Sequence, residues 1–149
     1  MPIGEICNRE VVIARRKDSI AQAAKLMREY HVGDVVVVEE KEDRAIPVGI
    51  LTDRDIVVKL IARDVPLDSV LVGDVMSSDV ATVPEYRGIW DTIQYMLGRG
   101  IRRIVVTDDR SNLVGILSTD DLLELLSGEL SDLAKLFTRE QSRERKTGG

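Results

Sequence analysis

The stretch Val48-Gly49-Ile50-Leu51-Thr52-Asp53-Arg54-Asp55-Ile56 decides the fold, because it returns as Val114-Gly115-Ile116-Leu117-Ser118-Thr119-Asp120-Asp121-Leu122. In both copies a short apolar run reaches a hydroxyl residue, and an Asp stands three residues further on. The apolar run predicts a short buried strand, and the hydroxyl marks the start of the next helix. A strand that ends where a helix begins collects free backbone N–H groups and the positive end of a helix dipole, which suits an anion. This paired stretch is the chain's best candidate for chemistry.

The repeat extends outward from that stretch. Gly4-Glu5-Ile6-Cys7 aligns with Gly73-Asp74-Val75-Met76 at an offset of 69 residues, and the same offset matches Ile20 with Ile89, Met27 with Met96 and Val35 with Ile104. The offset then falls to 66, matching Gly49 with Gly115, Thr52 with Ser118 and Asp55 with Asp121. The difference falls in the polar segment Glu39 to Arg44, whose counterpart Asp108 to Asn112 is shorter, and such insertions belong in surface turns. Internal repetition therefore sets the architecture.

Each repeat follows a β-α-β-β-α plan. Glu10-Val11-Val12-Ile13 and Val80-Ala81-Thr82-Val83 predict short strands. Asp18 or Ser19 caps a helix with Ile20, Ala23, Ala24 and Met27 on its apolar face, matched by Ile89, Ile93, Met96 and Leu97. Val35 to Val38 and Ile104 to Val106 form the next strand, then come the turn and the repeated stretch. A closing helix runs from Asp53 to about Arg63 and again from Thr119 to about Ser127, with Gly128 as its C-cap. Leu130, Leu133, Leu136 and Phe137 predict a further amphipathic helix, and Thr147-Gly148-Gly149 a disordered end.

With 149 residues, 44% hydrophobic and 32% charged, the chain has the composition of a soluble globule able to bury a core. A net charge of −5 and 3% aromatic content argue against a nucleic-acid binder, which needs a basic footprint or a stacking platform. No apolar run is long enough to span a bilayer. Met1 to Glu5 has neither a basic n-region nor an apolar h-region, so no secretory signal is expected. The single Cys7 provides neither an intrachain disulfide nor a thiolate cluster, which fits a cytoplasmic setting.

Two readings of the repeated motif stand side by side. Thr52 and Ser118 can cap their helices, with Asp55 and Asp121 favouring the dipole of the first turn. The same residues can also hold a nucleoside: a carboxylate accepts from both ribose hydroxyls, and the hydroxyl joins backbone N–H groups aimed at a phosphate. Arg102 and Arg103 are either solvated or, pointing to opposite faces of a strand, reach two different clefts. His31 falls at a helix end as a solvent-facing or dipole-matching residue. Trp90 is expected to pack on the C-terminal helix or a partner subunit. Asp53, Asp55, Asp120 and Asp121 form two separated pairs, a poor metal site without a substrate phosphate.

With the repeat laid out, the chain resembles a pair of cystathionine β-synthase (CBS) domains, a Bateman module, over about Gly4 to Gly128. Gly73-Asp74-Val75-Met76 resembles the family's opening motif, with Cys7 replacing the usual Met in the first copy. Gly100 to Val106 resembles its second strand, and Gly49 to Asp55 and Gly115 to Asp121 its ligand motif. The resemblance implies two domains about a pseudo-twofold axis, with clefts that hold AMP, ADP, ATP or S-adenosylmethionine as regulatory ligand. Carried over, Thr52, Asp53, Arg54 and Asp55 serve one cleft, and Ser118, Thr119, Asp120 and Asp121 the other. The base lies against Val11-Val12-Ile13 with Val32-Gly33-Asp34, or against Ala81-Thr82-Val83 with Ile101-Arg102. By the family's geometry Arg103 joins the Thr52/Asp55 cleft beside Gly33, and Arg102 joins the Ser118/Asp121 cleft with Asp34.

The expected architecture is thus α/β (α+β): tandem CBS repeats at residues 1–66 and 67–128, then a C-terminal helix and tail at 129–149. The expected function is a regulatory, signal-transduction module, not an enzyme, with no catalytic cofactor and no metal. Its partners would be a small adenosine ligand, a second copy in a homodimer and an unidentified regulated protein, without nucleic acid or membrane. The alternative is an interaction module with empty clefts. A remote third reading, a metal-dependent hydrolase, lacks His and acidic ligands in one cluster and an evident nucleophile–base pair.

Overall fold

Val35, Val36, Val37 and Val38 are all buried, and successive side chains of a strand point to opposite faces, so β2 (Asp34–Lys41) must be covered on both sides. The computed structural model, which describes residues 1–147, shows how. Val35 and Val37 pack with Ile20, Ala23 and Met27 of α1 (Ile20–Tyr30) and with Leu51, Ile56 and Leu60. Val36 and Val38 face the other way and meet Val105 of a second sheet. Val36 and Val105 are equivalent positions of the two repeats, so the sheets pack through matching residues.

The described residues form two three-stranded sheets, of order β1-β2-β3 and β4-β5-β6. In the first, β1 (Ile13–Ala14) runs parallel to β2, and β3 (Arg44–Thr52) runs antiparallel to it. Glu42 and Asp43 join β2 to β3 with φ of 51° and 62°, the left-handed pair that matches the twist of a two-residue hairpin. A bulge at Val37/Val38 accommodates Pro47, which has no amide hydrogen to give the ladder. In the second sheet β4 (Thr82–Pro84) runs parallel to β5 (Arg103–Thr107), with β6 (Leu113–Ser118) beyond it. The turn between β5 and β6 is held by Asp108, whose carboxylate accepts from the Arg110 and Asn112 amides at 2.9 Å each. Those bonds, Asn112 foremost, hold the Asp108 carboxyl below its ordinary pKa. The two turns also meet: Arg44 donates to the Arg110 carbonyl at 3.0 Å, and the Ala45 amide to Asn112 Oδ1 at 2.8 Å.

The segment that precedes each repeat is bonded to the other repeat. Ile3 and Gly4 donate to the carbonyls of Arg87 and Glu85, while Val72 and Gly73 donate to those of Asp18 and Arg16. Asn8 exchanges two bonds with Ile116, and Ser77 exchanges two with Ile50. Each bond in one set maps onto its counterpart by the sequence offsets, as a twofold relation between repeats requires. Gly49 and Gly115 make the crossing possible. A Cβ at Gly49 would run into Met76, and one at Gly115 would lie 2.6 Å from Cys7 Sγ. Cys7 thus occupies the place of the methionine in the second copy of the contact.

Several local expectations are settled or corrected. Ser19, not Asp18, caps α1, in a capping box with Gln22. Ala24 is exposed, as is Leu97 of α4 (Ile89–Arg99); Thr92 is buried on that helix face instead, its hydroxyl donating to the Gly88 carbonyl. Glu10 to Val12 and Val80 to Ala81 precede their strands. The predicted helix Asp53–Arg63 is a composite: α2 (Asp53–Asp55), a π turn at Ile56–Leu60 and a 3-10 turn at Ile61–Arg63. The opening motif of the second repeat forms a short helix, α3 (Val72–Val75).

The chain divides into two compact units, Met1–Leu117 and Ser118–Gly149. The second unit is α5 (Thr119–Thr147), one unbroken helix. Gly128 is therefore not a C-cap, the predicted third helix is the continuation of the second, and Thr147 is helical. The expected disorder of Gly148 and Gly149 lies outside the described residues. Among the described residues no helix is long and apolar enough to cross a membrane.

Candidate functional site

Thr52 leaves β3 in extended conformation and caps α2. Its hydroxyl accepts from the Asp55 amide at 3.0 Å, while Asp55 Oδ2 accepts from the Thr52 amide at 3.0 Å. Asp55 Oδ1 lies 3.3 Å from Lys59 Nζ, which also donates to the Val75 carbonyl at 3.2 Å. The capping role is thus realised in full. A carboxylate has about four acceptor positions, so Asp55 retains capacity for a further donor. Ser118 and Asp121, in the second unit, make the same reciprocal pair at 3.1 and 3.2 Å. Thr119 and Asp120 follow in the first turn of α5.

Gly33 faces its own repeat's motif. Its carbonyl accepts from the Asp53 amide at 2.9 Å, and a Cβ there would stand 3.2 Å from Asp53 Oδ2. Asp53 Oδ1 accepts in turn from the Arg54 amide at 2.8 Å. Asp34 and Arg103, expected in different clefts, are neighbours: Arg103 Nε lies 2.6 Å from Asp34 Oδ2. The reason is symmetry. The two residues hold equivalent positions at the start of β2 and β5, and equivalent residues meet where a twofold relation brings repeats together. The Arg103 charge is therefore matched by a carboxylate. Arg102 is exposed just ahead of β5, and Ile101, half-buried, donates its amide to Met96. Thr82 is exposed on β4 opposite Val105. Trp90 is exposed on α4, and His31 ends α1 at φ 54°.

A cavity of about 600 Å³ opens beside β1. Its apolar wall is Val11, Val12, Ile13, Leu26 and Val32, and its polar edge is Asn8, Glu10 and Tyr30. Val12 and Ile13, which the resemblance implies as base contacts, are part of this wall. Asn8, Glu10, Leu26 and Tyr30 were missed, although Asn8 follows the opening motif directly and Tyr30 ends the helix that motif precedes.

The equivalent positions of the second repeat carry different side chains. Asp79, Tyr95 and Arg99 stand at the positions of Glu10, Leu26 and Tyr30. Arg99 pairs with Asp79 at 3.3 Å and lies 5.4 Å over the Tyr95 ring, with Arg87 at 6.0 Å from the same ring. A cation over an aromatic face and an ion pair thus stand where the first repeat has Glu10, Leu26 and Tyr30. Among the described residues no group of three or more His, Cys, Asp or Glu side chains is placed to hold a metal ion.

The CBS domain family profile matches residues 3–62 and 72–128. The chain belongs to the CBS domain family. An uncharacterised protein of Methanopyrus kandleri is 35% identical over 123 residues, covering 83% of this chain and 61% of that one. The chain thus spans less than two-thirds of that relative's length. The CBS domain-containing protein YhcV of Bacillus subtilis is 34% identical over 115 residues, 76% of each chain. Among solved structures, the CBS domain pair of protein MJ0100, in complex with 5′-methylthioadenosine and S-adenosyl-L-methionine, superposes with a TM-score of 0.74 at 25% identity. That match covers 87% of this chain and 98% of the other. The two-sheet, mixed α/β architecture of this CBS pair matches that structure.

Proposed function

We propose that this CBS pair is a non-catalytic regulatory module that binds one small adenosine-containing ligand and passes the signal to a partner protein in a cytoplasmic setting. The observation that carries the reading is the cavity beside β1. Its volume lies in the range of small-molecule sites, with apolar walls for a base and few polar groups at the edge. The adenosine compounds bound by the MJ0100 pair support the ligand class. In the proposal the Thr52/Asp55 motif supplies a carboxylate for the ribose hydroxyls, at a helix start suited to an anion.

The lining sharpens the choice of ligand. Among the described residues, the lining includes the carboxylate of Glu10 and neither Lys nor Arg. A carboxylate a few ångströms from a phosphate costs on the order of 1–4 kcal/mol, depending on solvent access. A neutral or cationic ligand, such as 5′-methylthioadenosine or S-adenosylmethionine, is therefore favoured over AMP, ADP and ATP. Calorimetric titration of these five ligands into the parent and Glu10→Gln tests this. S-adenosylmethionine should bind the parent more tightly than ATP, and Glu10→Gln should narrow the gap. Absence of binding and of any thermal shift with every ligand would favour the module with empty clefts.

A further inference from the structure

We propose that α5 is a self-association element that pairs antiparallel with α5 of a second copy of this chain. The inference stands apart from the ligand reading. Leu123, Leu126, Leu130, Leu133 and Phe137 recur at alternating intervals of three and four residues, the spacing of a helix–helix seam. Leu126 is half-buried within the chain, but Leu123, Leu130, Leu133 and Phe137 are each more than 60% exposed, as is Leu136 beside them. An apolar stripe of this kind on a 29-residue helix calls for a covering surface.

The charges say what covers it. The first half of α5 carries Asp120, Asp121, Glu124, Glu129 and Asp132 and no basic residue. The second half carries Lys135, Arg139, Arg143, Arg145 and Lys146 against only Glu140 and Glu144. Two such helices laid parallel would set acid beside acid and base beside base along the seam. Laid antiparallel about Leu133, each acidic half runs along the other's basic half, and the two helix dipoles also oppose. The same acidic half is repelled by an anionic membrane surface, so the stripe is not a lipid-binding face. A second copy supplies both the apolar seam and the complementary charge order.

Sedimentation equilibrium of the full chain at 20 and 200 mM NaCl tests the pairing. The chain should dimerise, and its dissociation constant should rise several-fold with salt, because screening removes an attraction. Leu133→Asp and Phe137→Asp change exposed residues, should keep their helical circular dichroism, and should each weaken the dimer at least tenfold. A cysteine at Glu140→Cys in a Cys7→Ser background lies at the far end of the seam. Oxidation should leave it uncross-linked, since the antiparallel arrangement holds the two thiols apart. A monomer at micromolar concentration, a dimer indifferent to both Asp substitutions, a dimer tightened by salt, or ready disulfide cross-linking through residue 140 would each overturn the proposal.

Discussion

Replacing Gly115 with Ala probes the crossed architecture at its tightest point. The new Cβ would lie 2.6 Å from Cys7 Sγ and 2.7 Å from the Asn8 carbonyl oxygen. The thiol can turn aside, but the carbonyl is fixed by the 2.9 Å bond it accepts from the Ile116 amide. Overpacking of this kind costs roughly 1–3 kcal/mol. Loosening the Asn8–Ile116 pair adds about 0.5–1.5 kcal/mol for each bond lost. The smaller entropy of an unfolded Ala offsets roughly 0.4–1 kcal/mol. The net loss comes to about 2 kcal/mol, which for a chain of this length lowers the melting midpoint by roughly 4–8 °C. Gly49→Ala should cost less, because its closest neighbour is the flexible Met76 side chain and the nearest backbone atom, Ser77 O, is 3.0 Å away. Cys7→Ala in the Gly115→Ala background should recover only the side-chain share. Differential scanning calorimetry of the four proteins reads all of this. A Gly115→Ala midpoint at or above the parent's would show that the N-terminal segment does not cross against β6 as described.

Other outcomes follow from the same contacts. Asp55→Asn keeps an oxygen for the Thr52 amide but removes the charge, so adenosine binding should weaken by about 1–1.5 kcal/mol, roughly five- to tenfold, with little loss of stability; unchanged calorimetric affinity would leave Asp55 as a cap alone. Asp34→Asn releases Arg103 from its carboxylate, at a cost to stability of about 0–1 kcal/mol for a partly exposed pair, and should leave AMP affinity unchanged, because Arg103 does not line the cavity; a rise in AMP affinity would show that Arg103 reaches the ligand. Burial pushes the Cys7 thiol above its ordinary pKa, with the nearby Arg9 charge only partly opposing it. Its alkylation by iodoacetamide at pH 8 should therefore be several-fold slower in the folded protein than in urea. The sign for stability follows: the raised pKa leaves folding unaffected below the free thiol's value of about 8.5 and weakens it as pH rises beyond. Equal alkylation rates in the folded and unfolded chain would contradict the burial.

Much of the site was legible because its parts are local. Thr52 and Asp55 lie three residues apart, and the capping box they form needs only the backbone between them. Val12 and Ile13 could be placed beside a cleft through the resemblance alone. The polar edge of the cavity was not legible, since Glu10 and Tyr30 come to line one cavity only in the folded chain. Nor was the contrast with Asp79, Tyr95 and Arg99, whose ion pair and ring contact depend on side-chain reach.

The sequence by itself determined the duplication, the order of strands and helices, the hairpin that absorbs the length difference and the two caps. These are set by periodicity, turn chemistry and hydrogen bonds between near neighbours, all of which act within a few residues. Only the tertiary structure decided that residues before each repeat bond to the other repeat, because strand bridges such as Asn8 with Ile116 join positions far apart in the chain. It also decided that Asp34 and Arg103 neutralise one another, an outcome of where the symmetry brings equivalent residues together. It carried α5 through Gly128 as well: a glycine inside a helix costs only about 1 kcal/mol, too little to end a helix whose flanking turns favour continuing it.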